Sequence, residues 1–291
     1  MQPHSNVSSV SIQPEAFQSV TARRILGFWL LFQIIGGFIG GLIGDTSIEL
    51  AENASAYDPV WSLIGGYIGW ALFLQWVLMY LKRQRISVSR MIGPMALTRR
   101  DLWQAIGVAI GCLIFSMGTG ILMFSVLSQI SPDLLERIEE MAFSQASTMP
   151  FLYNLLLTGL LVVVAPTLEE FLFRGLLLHR WTFKWSLVSS IIVSSLLFGF
   201  AHINPVGLSL FGVMMALLYL KTRQLTAPVL AHAVNNAIVA VSIWLPQTNP
   251  STLPSESIAM GFFCLALSLP LLTWLACSLW TQRAATLPYD G

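Results

Sequence analysis

Apolar runs about twenty residues long recur along this chain, and no other feature restricts its fold as severely. About 20 residues at 1.5 Å each cross the roughly 30 Å hydrocarbon core of a bilayer. Inside that core every backbone N–H and C=O needs a partner within the protein, and an unbroken apolar run meets the demand as a helix. The candidate spans are 25–44, 60–81, 102–129, 151–178, 186–203, 207–220, 227–245 and 258–280. The sixth is short, and its boundary with the fifth falls near Asn204 and Pro205. The sequence therefore predicts an all-α fold: a polytopic membrane helix bundle of about eight transmembrane helices.

Charge supports the same reading. Only 10% of the 291 residues are charged, against about a quarter in a soluble domain. A water-facing surface could not be coated with so few. Arg23 and Arg24 precede the first run, and the loop after it holds Asp45, Glu49, Glu52 and Asp58 without a Lys or Arg. Lys82, Arg83, Arg85, Arg90, Arg99 and Arg100 crowd the next connection. Arg180 and Lys184 follow the fourth run, Lys221 and Arg223 the sixth, and Arg283 the eighth. Basic residues thus return on every second connection, which by the positive-inside rule places both termini in the cytoplasm. The net charge of +1, with no basic block, excludes a nucleic-acid partner. Cys112, Cys264 and Cys277 lie inside apolar runs and read as packing residues, not as a disulfide framework or metal site.

Residues 1–22 are polar, rich in Ser and Gln, and read as a flexible tail. The run behind Arg23 and Arg24 has the length of a retained span, not of a cleaved signal. Residues 23–149 hold the N-terminal transmembrane helices, 150–245 a polar-bearing core, and 246–291 a C-terminal helix and tail. Gly36/Gly40 and Gly37/Gly41 form small-xxx-small pairs suited to close helix contact, with ordinary bundle packing as their plain role. Leu134, Leu135, Ile138, Met141 and Ala142 recur at helical spacing, as a connecting helix or one lying on the interface.

Ionisable groups inside such runs cost about 2.5–3.5 kcal/mol each on insertion scales, so they mark function. They gather in the second half: Glu169, Glu170 and Arg174 in the fourth run, His202 at the end of the fifth, His232 in the seventh beside Asn235 and Asn236. Pro166 loosens the backbone one turn before the carboxylates. Glu170 and Arg174 share a face at i,i+4 and can pair, whereas Glu169 points about 100° away. One carboxylate is then neutralised locally and the other is free to act as a general base. His232 and Asn236 also share a face at i,i+4. By helical rise Glu169 lies roughly 16 Å from Arg180, His232 roughly 13 Å from Arg223, and His202 roughly 27 Å from Lys184. The first two match in depth, in the cytoplasmic half, while His202 falls about 10 Å beyond them and needs helix tilt to join. Such a cluster suits a hydrolase, a transporter or proton relay, a peptide-binding or immunity protein without catalysis, or an inert ion-pair cluster.

The motifs EE-x-x-x-R (Glu169 to Arg174), F-x-x-x-H (Phe198 to His202) and H-x-x-x-N (His232 to Asn236), in that order, resemble those of the CPBP family of intramembrane proteases. That family holds the eukaryotic CAAX prenyl endopeptidases and bacterial relatives of bacteriocin-processing and abortive-infection type. The resemblance covers roughly residues 150–245. It implies an intramembrane endopeptidase in which Glu169 activates water with His202. It further implies that His232 and Asn236 stabilise the oxyanion, and that Glu170 with Arg174 holds the first carboxylate, with Phe198 in support. The family has been described both as metal-dependent and as glutamate-type. No cofactor is expected, although Glu169, His202 and His232 are the residues a zinc ion would use. The implied substrate is a peptide or protein with a membrane-associated or lipidated segment, met among membrane lipids. Short loops suit a bacterial plasma-membrane relative.

Overall fold

The apolar runs fold as helices, and where each one stops is set by local chemistry. In the computed structural model residues 15–50, 59–142, 150–241, 244–245, 256–284 and 287–290 are described, and no strand occurs among them. The first two helices, α1 (Ala22–Leu50) and α2 (Pro59–Arg83), pack along their length. Gly36 and Gly40 make this possible. A methyl group on Gly40 would lie 2.5 Å from the Trp61 carbonyl oxygen, and one on Gly36 would strike the Gly65 carbonyl. Gly37 and Gly41, one position on, have nothing within 4 Å, so only one of the two glycine pairs is a contact.

A short helix, α3 (Val88–Ile92), leads to α4 (Arg99–Ile130), the pillar of the molecule. Thr98 and Asp101 form a capping box that satisfies orphan amides at its start. Asp101 also pairs with Lys221 Nζ across the bundle. The segment read as helical by its spacing is α5 (Pro132–Ala142). Next comes one continuous helix, α6 (Phe151–Lys184), widened into π-helix at Leu160–Val164 and again at Phe171–Leu178. Then follow α7 (Leu187–Phe200), α8 (Pro205–Thr222), α9 (Thr226–Val241) and α10 (Glu256–Gln282). Helices α8, α9 and α10 all pack on α4, and α7 and α8 form a hairpin. Met214 to Leu220 of α8 are buried all round, the signature of a central helix. Around this centre the surface is apolar, with Leu30, Ile34, Phe38, Phe200 and Phe262 all more than half exposed, as lipid contact requires.

Each of the eight expected runs contains helix, but among the described residues six helices are long and apolar enough to cross a membrane. The 14-residue α7 and 16-residue α9 reach only about 21 and 24 Å. The fifth run stops early because Pro205 cannot continue a helix and disfavours helical backbone at Asn204. The same proline opens α8 at its first turn, where a missing N–H costs nothing. The sixth run, which reads as short, is for that reason the longer partner, 18 residues. The rings of Phe17 and Tyr289 meet edge to face at 5.1 Å, so the two ends of the described chain lie at the same end of the bundle. The tail expected over residues 1–22 lies mostly outside the described residues; its last part, from Glu15, forms a helical turn with Phe17 buried.

Candidate active site

Glu169 and Glu170 leave α6 between its two π segments, and a proline shapes the first of these. Ala165 N–H reaches back five residues to the Leu160 carbonyl, the π register. The next donor in that register would be Pro166, which has no N–H, so the Leu161 carbonyl is left without a backbone partner. Asn236 Nδ2 on α9 donates to it at 2.9 Å. A π-helical irregularity beside a carboxylate pair is a common mark of a functional site.

Glu170 is fully buried and belongs to a closed network. Arg174 Nη1 donates to its Oε1 at 3.4 Å, and Nε stands 3.2 Å from Oε2, near enough to pair but out of line for a hydrogen bond. Arg174 Nη2 donates to the Gly212 carbonyl on α8 at 2.8 Å. Its guanidinium lies 4.9 Å from the Phe198 ring centre, a cation–π contact strengthened by desolvation. The His232 ring nitrogen Nδ1 donates to Glu170 Oε1 at 2.9 Å. A carboxylate can only accept in this contact, so the hydrogen sits on Nδ1. The resemblance implied that Glu170 and Arg174 hold Glu169. The structure instead joins them to His232, because at i,i+4 they close on each other and face α9.

Glu169 points elsewhere. Its Oε2 makes no hydrogen bond and lies 3.9 Å from His202 Nε2. His202 Nδ1 donates to the Phe198 carbonyl at 2.7 Å. That bond fixes the tautomer and leaves the Nε2 lone pair facing Glu169. The His202 side chain is 33% exposed and that of Glu169 16% exposed, against 4% and 0% for His232 and Glu170. The cluster therefore has an accessible pair and a buried pair. Phe198 stands between them, its ring centre 4.6 Å from His202 and 5.8 Å from His232.

The depth mismatch expected for His202 does not arise. Helix α6 continues past Arg180 to Lys184, so Arg180 is not its end, and α7 begins at Leu187. Glu169 lies 15 residues before the end of α6, and His202 lies 15 after the start of α7 (184 − 169 and 202 − 187). Each is thus about 22 Å from the shared turn. This is also deeper for Glu169 than the distance to Arg180 suggests.

Two residues complete the site without a motif to announce them. Asn204 caps α8, accepting from Gly207 N–H at 3.0 Å, and its amide donates to the Ser116 carbonyl at 2.8 Å and bonds Thr119 Oγ1 at 2.9 Å. It pins the His202 turn to α4. Phe211 stacks on Phe198 and meets the His232 ring edge to face at 5.0 Å. An Asn before Pro at a helix start is a readable cap signal; nothing local announces Phe211. Asn235 donates to Asn236 Oδ1 at 3.3 Å.

Among the described residues no group of three His, Cys, Asp or Glu side chains is assembled as a metal site. Of the residues a zinc ion would use, Glu169, His202 and His232, the last is bonded through Nδ1 to Glu170, which leaves its Nε2 as the ring nitrogen open to a ligand. The arrangement can place a polarised water at Glu169 and His202 beside a donor wall at His232 and Asn236.

Comparison with known proteins bears on this same segment. Over 90 residues the chain is 30% identical to "Putative membrane peptidase YdiL" of Bacillus subtilis (strain 168), a match spanning 30% of this chain and 37% of that protein. No solved structure matches. The family model for type II CAAX prenyl endopeptidase Rce1-like proteins matches residues 150–238, which run from the start of α6 almost to the end of α9 and contain all three motifs. The segment that carries Glu169, His202, His232 and Asn236 is therefore the segment that is similar to the type II CAAX prenyl endopeptidase family.

Proposed function

We propose that the protein is an intramembrane endopeptidase of glutamate type, and the Glu169–His202 pair carries the proposal. Their facing atoms are 3.9 Å apart and neither donates to the other. A water about 2.8 Å from both would subtend roughly 90° at its oxygen, close to its two hydrogen directions. Glu169 takes one proton as general base while His202 Nε2 accepts the other hydrogen bond. The oxygen attacks the peptide carbonyl, and the proton on Glu169 then passes to the leaving amine. Hydrolysis is complete with no group consumed but water.

The oxyanion is met by the second pair. Asn236 uses one amide hydrogen on Leu161 and has another to give. With Nδ1–H committed to Glu170, His232 can donate from Nε2 only as imidazolium. A carboxylate 2.9 Å away stabilises that cation, as the buried acid does in a Ser-His-Asp triad. Glu170 and Arg174 are thus positioning residues for His232. The substrate in this reading is a protein or peptide with a membrane-associated or lipidated segment, in a bacterial plasma membrane with both termini cytoplasmic.

The test is to map new protein termini by mass spectrometry in cells expressing wild type or Glu169→Gln. Cut ends found only with wild type are expected. Identical termini, with both proteins abundant and folded, would sink the proposal and favour a transport or binding role.

A further inference from the structure

The end of the bundle where α1 begins and α6 ends holds a cavity of about 480 Å³. Thr21 and Arg23 form one wall, and Arg180, Trp181, Lys184 and Trp185 the other. Three cations meet here from segments far apart in the sequence, and among the described residues no carboxylate pairs with any of them. Two of them place their charged heads near aromatic rings: the Arg180 guanidinium is 5.7 Å from the Phe183 ring centre and the Lys184 ammonium 5.3 Å from that of Trp185. The Trp181 and Trp185 rings stack at 6.0 Å, the first buried and the second 41% exposed. A cation cluster of this kind leaves its charge to be met by something from outside.

The surroundings define what. Tryptophans at the end of a spanning helix sit at headgroup level, and basic pockets between transmembrane helices at that level take anionic headgroups. Arginine forks match the oxygens of phosphate, and lysine adds a point charge. A larger cavity of about 690 Å³ beside Arg90 and Arg223 lacks this character, because the Arg223 guanidinium already donates to the Leu287 and Pro288 carbonyls. We propose that the Arg23–Arg180–Lys184 cavity binds the phosphate of an anionic phospholipid headgroup. The lipid would bridge α1 to the end of α6, the helix that carries both carboxylates.

The experiment is native mass spectrometry of the purified full chain, titrated separately with phosphatidylglycerol, phosphatidylcholine and inorganic phosphate. Three variants are compared with wild type: R23Q/R180Q/K184Q, the charge-keeping R23K/R180K/K184R, and R99Q/R100Q, which removes two exposed arginines at the start of α4. Wild type is expected to retain phosphatidylglycerol over phosphatidylcholine. The glutamine triple variant should lose affinity by about fivefold per cation, roughly a hundredfold in all. The charge-keeping triple and R99Q/R100Q should stay within about threefold of wild type. Equal loss in R99Q/R100Q would reduce the effect to general surface charge and overturn the proposal, as would unchanged binding in the glutamine triple. Inorganic phosphate binding as tightly as the lipid would overturn the lipid assignment in favour of a free-ion site.

Discussion

Replacing Arg174 by methionine tests the buried network more directly than any change at the Glu169–His202 pair. Arg174 is 1% exposed and Glu170 fully buried. The substitution keeps most of the side-chain volume but leaves the Glu170 carboxylate without its cation and the Gly212 carbonyl without its donor. Removing one partner of a buried pair costs about 3–5 kcal/mol, because the charge left behind is uncompensated. At about 2–4 °C per kcal/mol for a chain of this size, the melting temperature should fall by roughly 6–20 °C. Changing Glu170 to methionine as well removes the lone charge. The double variant should then recover more than half of the loss, the remainder reflecting the abandoned His232 N–H, at about 1–3 kcal/mol. Arg174→Lys keeps the charge but not the fork that reaches Gly212, and should fall between. The assay is a double-mutant cycle on thermal melts of purified protein in one detergent. Additive losses in the double variant, or an Arg174→Met melt within about 2 °C of wild type, would refute the network as described.

Asn204→Ala removes a helix cap and leaves the Ser116 carbonyl unpaired. It should cost about 2–3 kcal/mol in melts, and Asn204→Asp, which keeps the cap but not the amide donors, should cost less. Gly36→Ala should destabilise by about 1–3 kcal/mol through collision with Gly65, whereas Gly37→Ala should change stability by less than about 0.5 kcal/mol. Pro166→Ala supplies the missing N–H for Leu161. In that background the penalty for Asn236→Ala, about 1–3 kcal/mol in wild type, should shrink; an unchanged penalty in a melting cycle would refute the register argument.

Much of this was legible because the sequence places polar groups where lipid forbids them. Glu169, Glu170, Arg174, His202 and His232 stand out against apolar runs, and the i,i+4 spacing of Glu170 and Arg174 foretold their pairing. The glycine stripe was legible only as two equivalent pairs. Which pair faces α2 depends on helix rotation, which the hydropathy pattern leaves open when both faces are apolar. The link from Glu170 to His232 was hidden for another reason. Contacts between helices depend on their relative rotation, and two π segments in α6 shift that rotation from what an α-helical spacing gives.

The depth of His202 shows how a boundary error propagates into a site. Taking Arg180 as a membrane-surface marker placed one end of α6 too early and created a mismatch of about 10 Å. Counting from the turn instead removes it, because an antiparallel hairpin brings residues equidistant from its turn to the same level. Glu169 lies 15 residues before the end of α6 and His202 lies 15 after the start of α7. Registration in such a bundle is therefore set by the turns, so an insertion of one residue in the Trp185–Ser186 turn leaves the motifs intact. One residue of added chain within α7 moves His202 by about 1.5 Å and 100° and would separate it from Glu169. The motif is a statement about residue types; the site depends on the chain lengths between them.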